Sequence, residues 1–390
     1  MGGRIGRNHF DLKILSGLLT TGRFFAKLYV NANGSAHGSD NGTPSEYPVA
    51  NSTHFTIKQV AEKAGVSIQT VSRVLNNRPD VSPETRQRVQ QLIDELGYQP
   101  FASARGLASK RTYTLGLIAS DFSDYWFSQV VTGAEIEAHE HGYFFMLGST
   151  GCNPQDEPKF LRLLTQRHIE GVLFVRAGCP DDLEHLRNLQ KSGIPIVSTG
   201  FYLPDAEFSV VEVDNVDGGR KATQHLVELG HTQIALICGP ADWKSVSDRT
   251  EGYMQALASA SIAQNPDLIV HGTSWLHRSG YGAMKELLAR GAPLTAVFAH
   301  NDRIAKGAIS AIHEAGLKVP EDISIVGYDD IPEAEFSDPP LTTIRQPMRE
   351  VGKAAARLLV EMVENSDARP TQILYETELV IRSSCIHRKS

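Results

Sequence analysis

The chain contains no uninterrupted run of about eighteen apolar residues, the length a membrane-spanning helix needs, so no transmembrane segment is expected. Cysteine is scarce: Cys152, Cys179, Cys238 and Cys385 are scattered, with no two at paired spacing. That pattern argues against a disulfide framework or a zinc site and fits a reducing cytoplasm. The reactive constellations of common enzymes are missing too. There is no Gly-x-x-x-x-Gly-Lys phosphate loop, no Gly-x-Ser-x-Gly elbow and no His-Glu-x-x-His pair. His139-Glu140-His141 is too tightly spaced to put both imidazoles on one helix face, and Asp329-Asp330 has no third ligand nearby. The chain is therefore expected to be no enzyme, without catalytic residue, metal or cofactor. Asp329-Asp330 is expected to serve a loop or hinge.

A net basic balance is missing from most of the chain. The net charge is −7 over 390 residues, yet residues 55–112 hold nine Lys/Arg against five Asp/Glu. Residues 1–54 carry +2, which leaves residues 113–390 at −13. A basic head on an acidic body confines contact with nucleic acid to the head, because an acidic surface repels phosphate. In residues 1–54, the apolar run Ile14–Thr21 is barely long enough for a signal peptide. Arg23 and Lys27 follow at once and no small-residue cleavage site stands out. Residues 31–54 are rich in Asn, Gly and Ser, a linker composition. The expectation for 1–54 is a poorly ordered extension, of the kind an upstream translation start produces.

What is present begins at Phe55. Thr56 with Gln59 forms a capping box, and Val60, Ala61 and Ala64 give a short helix one apolar face. Gly65 supplies the positive φ of a tight turn. Ser67 then caps a second helix that buries Val71, Val74 and Leu75 and turns Gln69, Thr70, Ser72 and Arg73 outward. The spacing is that of a helix-turn-helix, whose second helix enters the DNA major groove, where Gln suits adenine and Arg suits guanine. Any small capped helical pair with a solvated polar face would share it. Ser82, Pro83 and Gly97 bound a third helix whose Val89, Leu92, Ile93 and Leu96 close the core, giving a headpiece over residues 55–98. Residues 99–112 are either a plain linker or a marginal helix that folds when something holds it.

From Tyr113 to the end, β-rich apolar runs alternate with amphipathic helices. Eight strands are expected at Thr114–Ala119, Phe144–Leu147, Gly171–Val175, Ile194–Ser198, Ile234–Cys238, Leu268–Val270, Ala296–Ala299 and Ile323–Val326. Strand–helix alternation of this kind means parallel sheets covered on both faces. Eight units exceed one comfortable sheet, so residues 113–390 are expected to form two doubly wound lobes. Any ligand should lie at the carboxyl ends of the strands, between them.

Several motifs carry a family resemblance. They are Val60-Ala61…Ala64-Gly65-Val66-Ser67…Thr70-Val71-Ser72-Arg73-Val74-Leu75-Asn76, His225-Leu226…Leu229-Gly230-His231 and Asn301-Asp302. Val319-Pro320-Glu321-Asp322-Ile323-Ser324, Gly327-Tyr328-Asp329-Asp330 and Pro340-Leu341-Thr342-Thr343-Ile344-Arg345-Gln346-Pro347 follow in order. From Thr56 to about Ile386 the chain resembles the lactose-repressor/galactose-repressor family of bacterial transcription regulators. The resemblance implies a small all-α helix-turn-helix headpiece on an α/β body of two lobes like those of periplasmic sugar-binding proteins. It implies a homodimer, or a dimer of dimers, on a pseudo-palindromic operator of double-stranded DNA. Ile68, Gln69 and Arg73 would read base edges. Ser67, Thr70, Ser72, Asn76 and Tyr98 would contact phosphates. Residues 99–112 would become a hinge helix, with Ala104 and Leu107 at the DNA and Leu107 as a minor-groove wedge.

The resemblance also implies a small-molecule effector, a carbohydrate, between the lobes. Asp302, Arg249 (as a fork donor from the facing lobe) and the pair Trp126-Phe127 match the family's ligand contacts. Trp243 and Trp275 also follow strands, so all three tryptophans are expected near the crevice. Asp302 could equally cap the helix that follows it, and Arg249 could bridge the lobes. Purine-binding members carry an arginine where Trp243 stands, which argues against a purine. Some sugar-binding members have an aspartate where this chain has Thr199-Gly200. Arg176 could face the pocket or solvent. The function expected is repression of carbohydrate-utilisation genes, relieved by a sugar. The alternatives are a regulator answering a sugar acid, phosphate or nucleobase, or a solute-binding protein.

Overall fold

The computed structural model describes residues 55–98, 111–151, 153–175, 184–200, 208–365 and 367–388. The extension over 1–54, the linker positions Ala104 and Leu107, and Arg176 lie outside the described residues. The chain divides into two compact units after Tyr98.

The first unit holds helices α1 (Ile57–Ala64), α2 (Ile68–Leu75) and α3 (Pro83–Leu96). The Thr56 hydroxyl accepts from the Gln59 amide at 3.3 Å, and Gln59 Oε1 accepts from the Thr56 amide at 2.8 Å. Gly65 stands at φ 65°, where a side chain is disfavoured. Ser67 Oγ accepts from the Thr70 amide at 3.1 Å to start α2. Val60, Ala64, Val71, Val74, Val89 and Ile93 form the core. Leu75 was expected inside with them and is only half-buried, because it falls at the last turn of α2.

In the second unit the chain runs β1 (Thr114–Ala119), α4 (Tyr125–Glu140), β2 (Phe144–Ser149), α5 (Glu157–Thr165), β3 (Val172–Val175), α6 (Glu184–Lys191), β4 (Ile196–Thr199) and β5 (Ser209–Val213). It continues with α7 (Asn215–Glu228), β6 (Ile234–Cys238), α8 (Lys244–Ser259), β7 (Ile269–His271), α9 (His277–Arg290), β8 (Ala296–Ala299), α10 (Asp302–Glu314) and β9 (Ser324–Asp329). Last come α11 (Pro332–Glu335), β10 (Thr342–Arg345), α12 (Met348–Glu364), β11 (Gln372–Tyr375) and β12 (Glu378–Val380). The eight expected strands are present. The pattern missed β5, β10, β11 and β12, whose short stretches carry Glu, Thr, Arg or Gln and so break the apolar run.

Two six-stranded sheets result, ordered β11-β5-β4-β3-β1-β2 and β12-β10-β9-β8-β6-β7. Every pairing is parallel except β10 with β12. Successive strand residues point to opposite faces, and both faces are covered. In the first lobe, Leu117, Leu173 and Val211 pack under α4 and α12, while Ile118, Phe174 and Ile196 pack on the other side. In the second lobe, Ile237, Val297 and Ile325 pack under α9 and α10, and Leu236, Phe298 and Val326 under α7 and α8.

The chain passes between lobes at three places: β5 to α7, β10 to α12, and β11 to β12. Three helix pairs are drawn together by reciprocal glycines. On α4 and α12, a Cβ at Gly352 would lie 1.9 Å from the Val130 carbonyl oxygen, and one at Gly133 would lie 2.1 Å from that of Arg349. Only hydrogen fits there.

Candidate functional site

A cleft of about 470 Å³ opens between the lobes where the strands end. Its first-lobe wall comes from the β1–α4 turn, which carries Trp126 and Phe127, and from the end of β5, which carries Glu212. Its second-lobe wall comes from residues after β6, β7 and β8, Trp243, Trp275 and Asn301, and from the last residue of β9, Asp329. Asn215 and Gln346 stand at two of the crossings and line it too.

All three tryptophans line the cleft. The rings form a chain across it: Trp126 to Phe127 at 5.0 Å, Phe127 to Trp243 at 6.3 Å and Trp243 to Trp275 at 5.2 Å, each edge to face.

Arg249 also lines the cleft, and it is 5% exposed. It projects from α8, so it belongs to the same lobe as Asp302 and not to the facing one. Its Nε donates to Asn215 Oδ1 at 2.9 Å, its Nη1 to the His300 carbonyl, and its guanidinium lies over the Tyr328 ring at 3.7 Å. These contacts tie it to the second lobe and to Asn215 at the β5–α7 crossing. Tyr328 also donates to Asn215 Oδ1, at 3.3 Å.

Asp302 is not among the residues that line the cleft. It is fully buried behind the wall, where Oδ1 accepts from Thr343 Oγ1 at 2.5 Å and Oδ2 from the Ile331 amide at 2.9 Å. Burial, with Asp329 close by, holds its carboxyl well above the usual range. Nor is it the cap of α10: that is Asn301, whose Oδ1 accepts from the Ile304 amide at 2.7 Å. The cap's side-chain oxygen satisfies an amide of the first turn, and Asp302 is held inward by its own bonds to Thr343 and Ile331. Asn301 and Asp329, on either side of Asp302, face the cleft instead.

Asp329 has φ 110°, which turns the chain after β9, and Gln346 Nε2 donates to its Oδ1 at 2.6 Å. Burial pushes its carboxyl up to about 7 against the pull of Arg249. Asp330, by contrast, is tied to Arg345 and Arg382, each at 2.7 Å. Among the described residues no group of three or more His, Cys, Asp or Glu is placed to hold a metal. In the first lobe, Glu212 is 5% exposed and pushed up to about 7 by burial. Asp124 caps α4 by accepting from the Trp126 amide at 2.9 Å and faces Arg303 of the other lobe at 3.5 Å. Five carboxyl side chains line the cleft, from Asp121, Asp124, Glu212, Asp242 and Asp329, against two arginines. Asp329, expected in a loop or hinge, lines the cleft as well, while Glu212, Asn301 and Gln346 carry no such signal in the sequence, although the last two stand inside motifs quoted above.

On the headpiece, Gln69 and Arg73 of α2 are exposed, and Ile68 is 48% exposed. Thr70 and Ser72 are half-buried, while Ser67 and Asn76 are exposed. Arg73 Nε lies 3.4 Å from Asp80. Tyr98 is buried in the headpiece core, so its ring is a packing group.

A helix-turn-helix headpiece with an exposed second helix, within the basic stretch 55–112, and a two-lobed body with a polar, aromatic cleft define a DNA-binding protein that carries its own ligand sensor. Residues 56–100 match the family of bacterial regulatory proteins, lacI family, and residues 223–385 match the periplasmic binding protein-like domain. The chain is 38% identical to the HTH-type transcriptional regulator CelR of Thermobifida fusca, over 84% of this chain and 98% of that protein. It superimposes on a CelR–cellobiose complex (TM-score 0.66, 36% identity, 85% of this chain and 100% of that one). It also superimposes on the lac repressor dimer bound to operator and the anti-inducer ONPF (TM-score 0.78, 30% identity, 85% and 99%). The chain belongs to the lacI family and is a DNA-binding transcriptional repressor. No described helix is long and apolar enough to cross a membrane.

Proposed function

We propose that the repressor answers a neutral carbohydrate of about disaccharide size, bound in the cleft, and controls carbohydrate-utilisation genes. The observation that carries this reading is the convergence of Trp126, Trp243 and Trp275 on one cleft beside Arg249, Asn301 and Asp329. Aromatic faces stack on the C–H patches of a sugar ring, while charged and amide groups grip vicinal hydroxyls. A volume of about 470 Å³ falls within the range of small-molecule sites. The excess of carboxyls speaks against sugar acids and sugar phosphates. The likeness to a regulator solved with cellobiose supports the same class.

On the DNA side, the proposal is a homodimer whose paired headpieces read a pseudo-palindromic operator. Ile68, Gln69 and Arg73 meet base edges; Ser67, Thr70, Ser72, Asn76 and the Tyr98 hydroxyl meet phosphates; Ala104 and Leu107 contact the DNA, Leu107 as a minor-groove wedge. The exposure of Ile68, Gln69 and Arg73 opposite buried Val71 and Val74 supports the first of these assignments. A sugar that favours one arrangement of the lobes shifts the operator-binding equilibrium by linkage.

The test is a thermal-shift screen of the full chain against cellobiose, glucose, gluconate, glucose 6-phosphate and nucleosides. A ligand at a hundred times its Kd stabilises by about 2.7 kcal/mol. A shift with cellobiose or another neutral sugar is expected. A shift with only nucleosides or anions overturns the carbohydrate reading.

A further inference from the structure

Glu212 is the charged residue of the strand Ser209-Val210-Val211-Glu212-Val213, two residues before the chain crosses to the second lobe. Val211 and Val213 on either side of it enter the first-lobe core. Glu212 lines the cleft and is 5% exposed. Its Oε1 accepts from the Val213 amide at 2.9 Å and the Gly200 amide also lies toward the carboxyl, which fixes it in place, while Oε2 is buried with no hydrogen-bond partner in good geometry among the described residues. A buried acceptor left unpaired is costly to a fold, and a ligand in the adjoining cleft is the natural donor.

We propose that Glu212 is a ligand contact and a specificity residue of the cleft: its carboxylate accepts hydroxyl hydrogens of the bound sugar through Oε2. The proposal rests on the carbohydrate reading above. Arg249 and Asp248 of α8 and Tyr328 of β9 are the charged and titratable groups that act on Glu212 across the cleft floor. Burial holds the carboxyl at about 7. Hydroxyls donated to it favour the ionised form, so binding releases a proton and affinity rises with pH.

The experiment is isothermal titration of the full chain with cellobiose from pH 6 to pH 8. Affinity should rise about tenfold over that range, the gain expected when a group titrating near 7 must ionise to bind. Glu212→Gln, matched in shape, should bind at least about tenfold more weakly at pH 8 and lose most of the pH response. A variant with the parent's affinity and pH profile overturns the assignment and leaves the carbohydrate reading standing. If neither cellobiose nor any other neutral sugar binds, the carbohydrate reading falls and the assignment with it. Should the variant fail to fold, Glu212→Asp takes its place, since a carboxyl drawn back from the cleft should lose the same contact. At pH 7, buffers of different ionisation enthalpy should reveal a proton release on binding that is smaller by about half a proton in the Glu212 variant than in the parent, whose Asp329 also titrates at about 7; an unchanged release overturns the proposal.

Discussion

Arg303 Nη1 of the second lobe lies 3.5 Å from Asp124 Oδ2 of the first, an ion pair that spans the cleft. Each side chain is about a quarter exposed, so the pair holds the lobes together only weakly against solvent screening. Burial raises the Asp124 carboxyl and Arg303 opposes it. Replacing Arg303 with Met should loosen closure, weakening sugar binding by about 1 kcal/mol or less with little change in melting temperature. Titration calorimetry and a thermal melt on the same sample check both halves.

Asp302 and Asp329 should part company on mutation. Asp302→Ala leaves Thr343 Oγ1 and the Ile331 amide buried without an acceptor, a loss of about 2–4 kcal/mol in urea unfolding. Asp329→Ala, at the cleft wall, should abolish the effector response while operator binding persists. Reporter induction and a gel shift distinguish the two, and a parental urea midpoint for Asp302→Ala would contradict its structural role.

Asp329 also predicts a pH dependence of stability. Its carboxyl ionises near 3.8 when free and at about 7 in the fold. Between those values the folded state holds more protons than the unfolded one, so Asp329 lowers stability as pH rises through that window and no further above it. Asp329→Asn lacks this effect. Its urea midpoint should therefore climb relative to the parent from pH 5 to pH 8, and a constant difference would contradict the prediction.

Two glycine substitutions should act in opposite directions. Gly352→Ala drives a methyl into the Val130 carbonyl and forces α4 from α12, which should cost more than about 2 kcal/mol or prevent folding. Gly282 lies on an exposed face of α9 with nothing within 4 Å of a Cβ. Gly282→Ala should stabilise by about 0.5–1 kcal/mol. Thermal melts of both variants are the check.

Arg73→Ala should cost about 1–3 kcal/mol of operator affinity and relax preference at one base pair, with sugar binding unchanged. Equal weakening on operator and random DNA, measured at one salt concentration, would reduce Arg73 to a phosphate contact.

Much of the architecture was legible because its signals are local. Thr56 with Gln59, Ser67, Ser82 with Pro83, and Gly97 mark helix ends through bonds within a few residues. The runs Thr114–Ala119 and Ile234–Cys238 announce buried strands by apolarity alone. Strands β11 and β12 could not be read this way, since edge strands need no apolar face. At the site, the tryptophans stood out by rarity and position. The burial of Asp302 could not be read locally, because the groups that hold it, Thr343 and the Ile331 amide, come from elements distant in the sequence.

By itself the sequence determined the helix-turn-helix, the strand–helix alternation, the basic head on an acidic body and the family. Each depends on spacing or composition within short windows. Only the tertiary structure decided that Arg249 shares a lobe with Asp302, that Asp329 and Asn301 face the cleft, and that Glu212 meets it from the opposite side. Those residues lie on separate strands and helices, and three crossings between the sheets bring them together. Which faces meet follows from packing the two sheets and their helices as a whole, which no local pattern encodes.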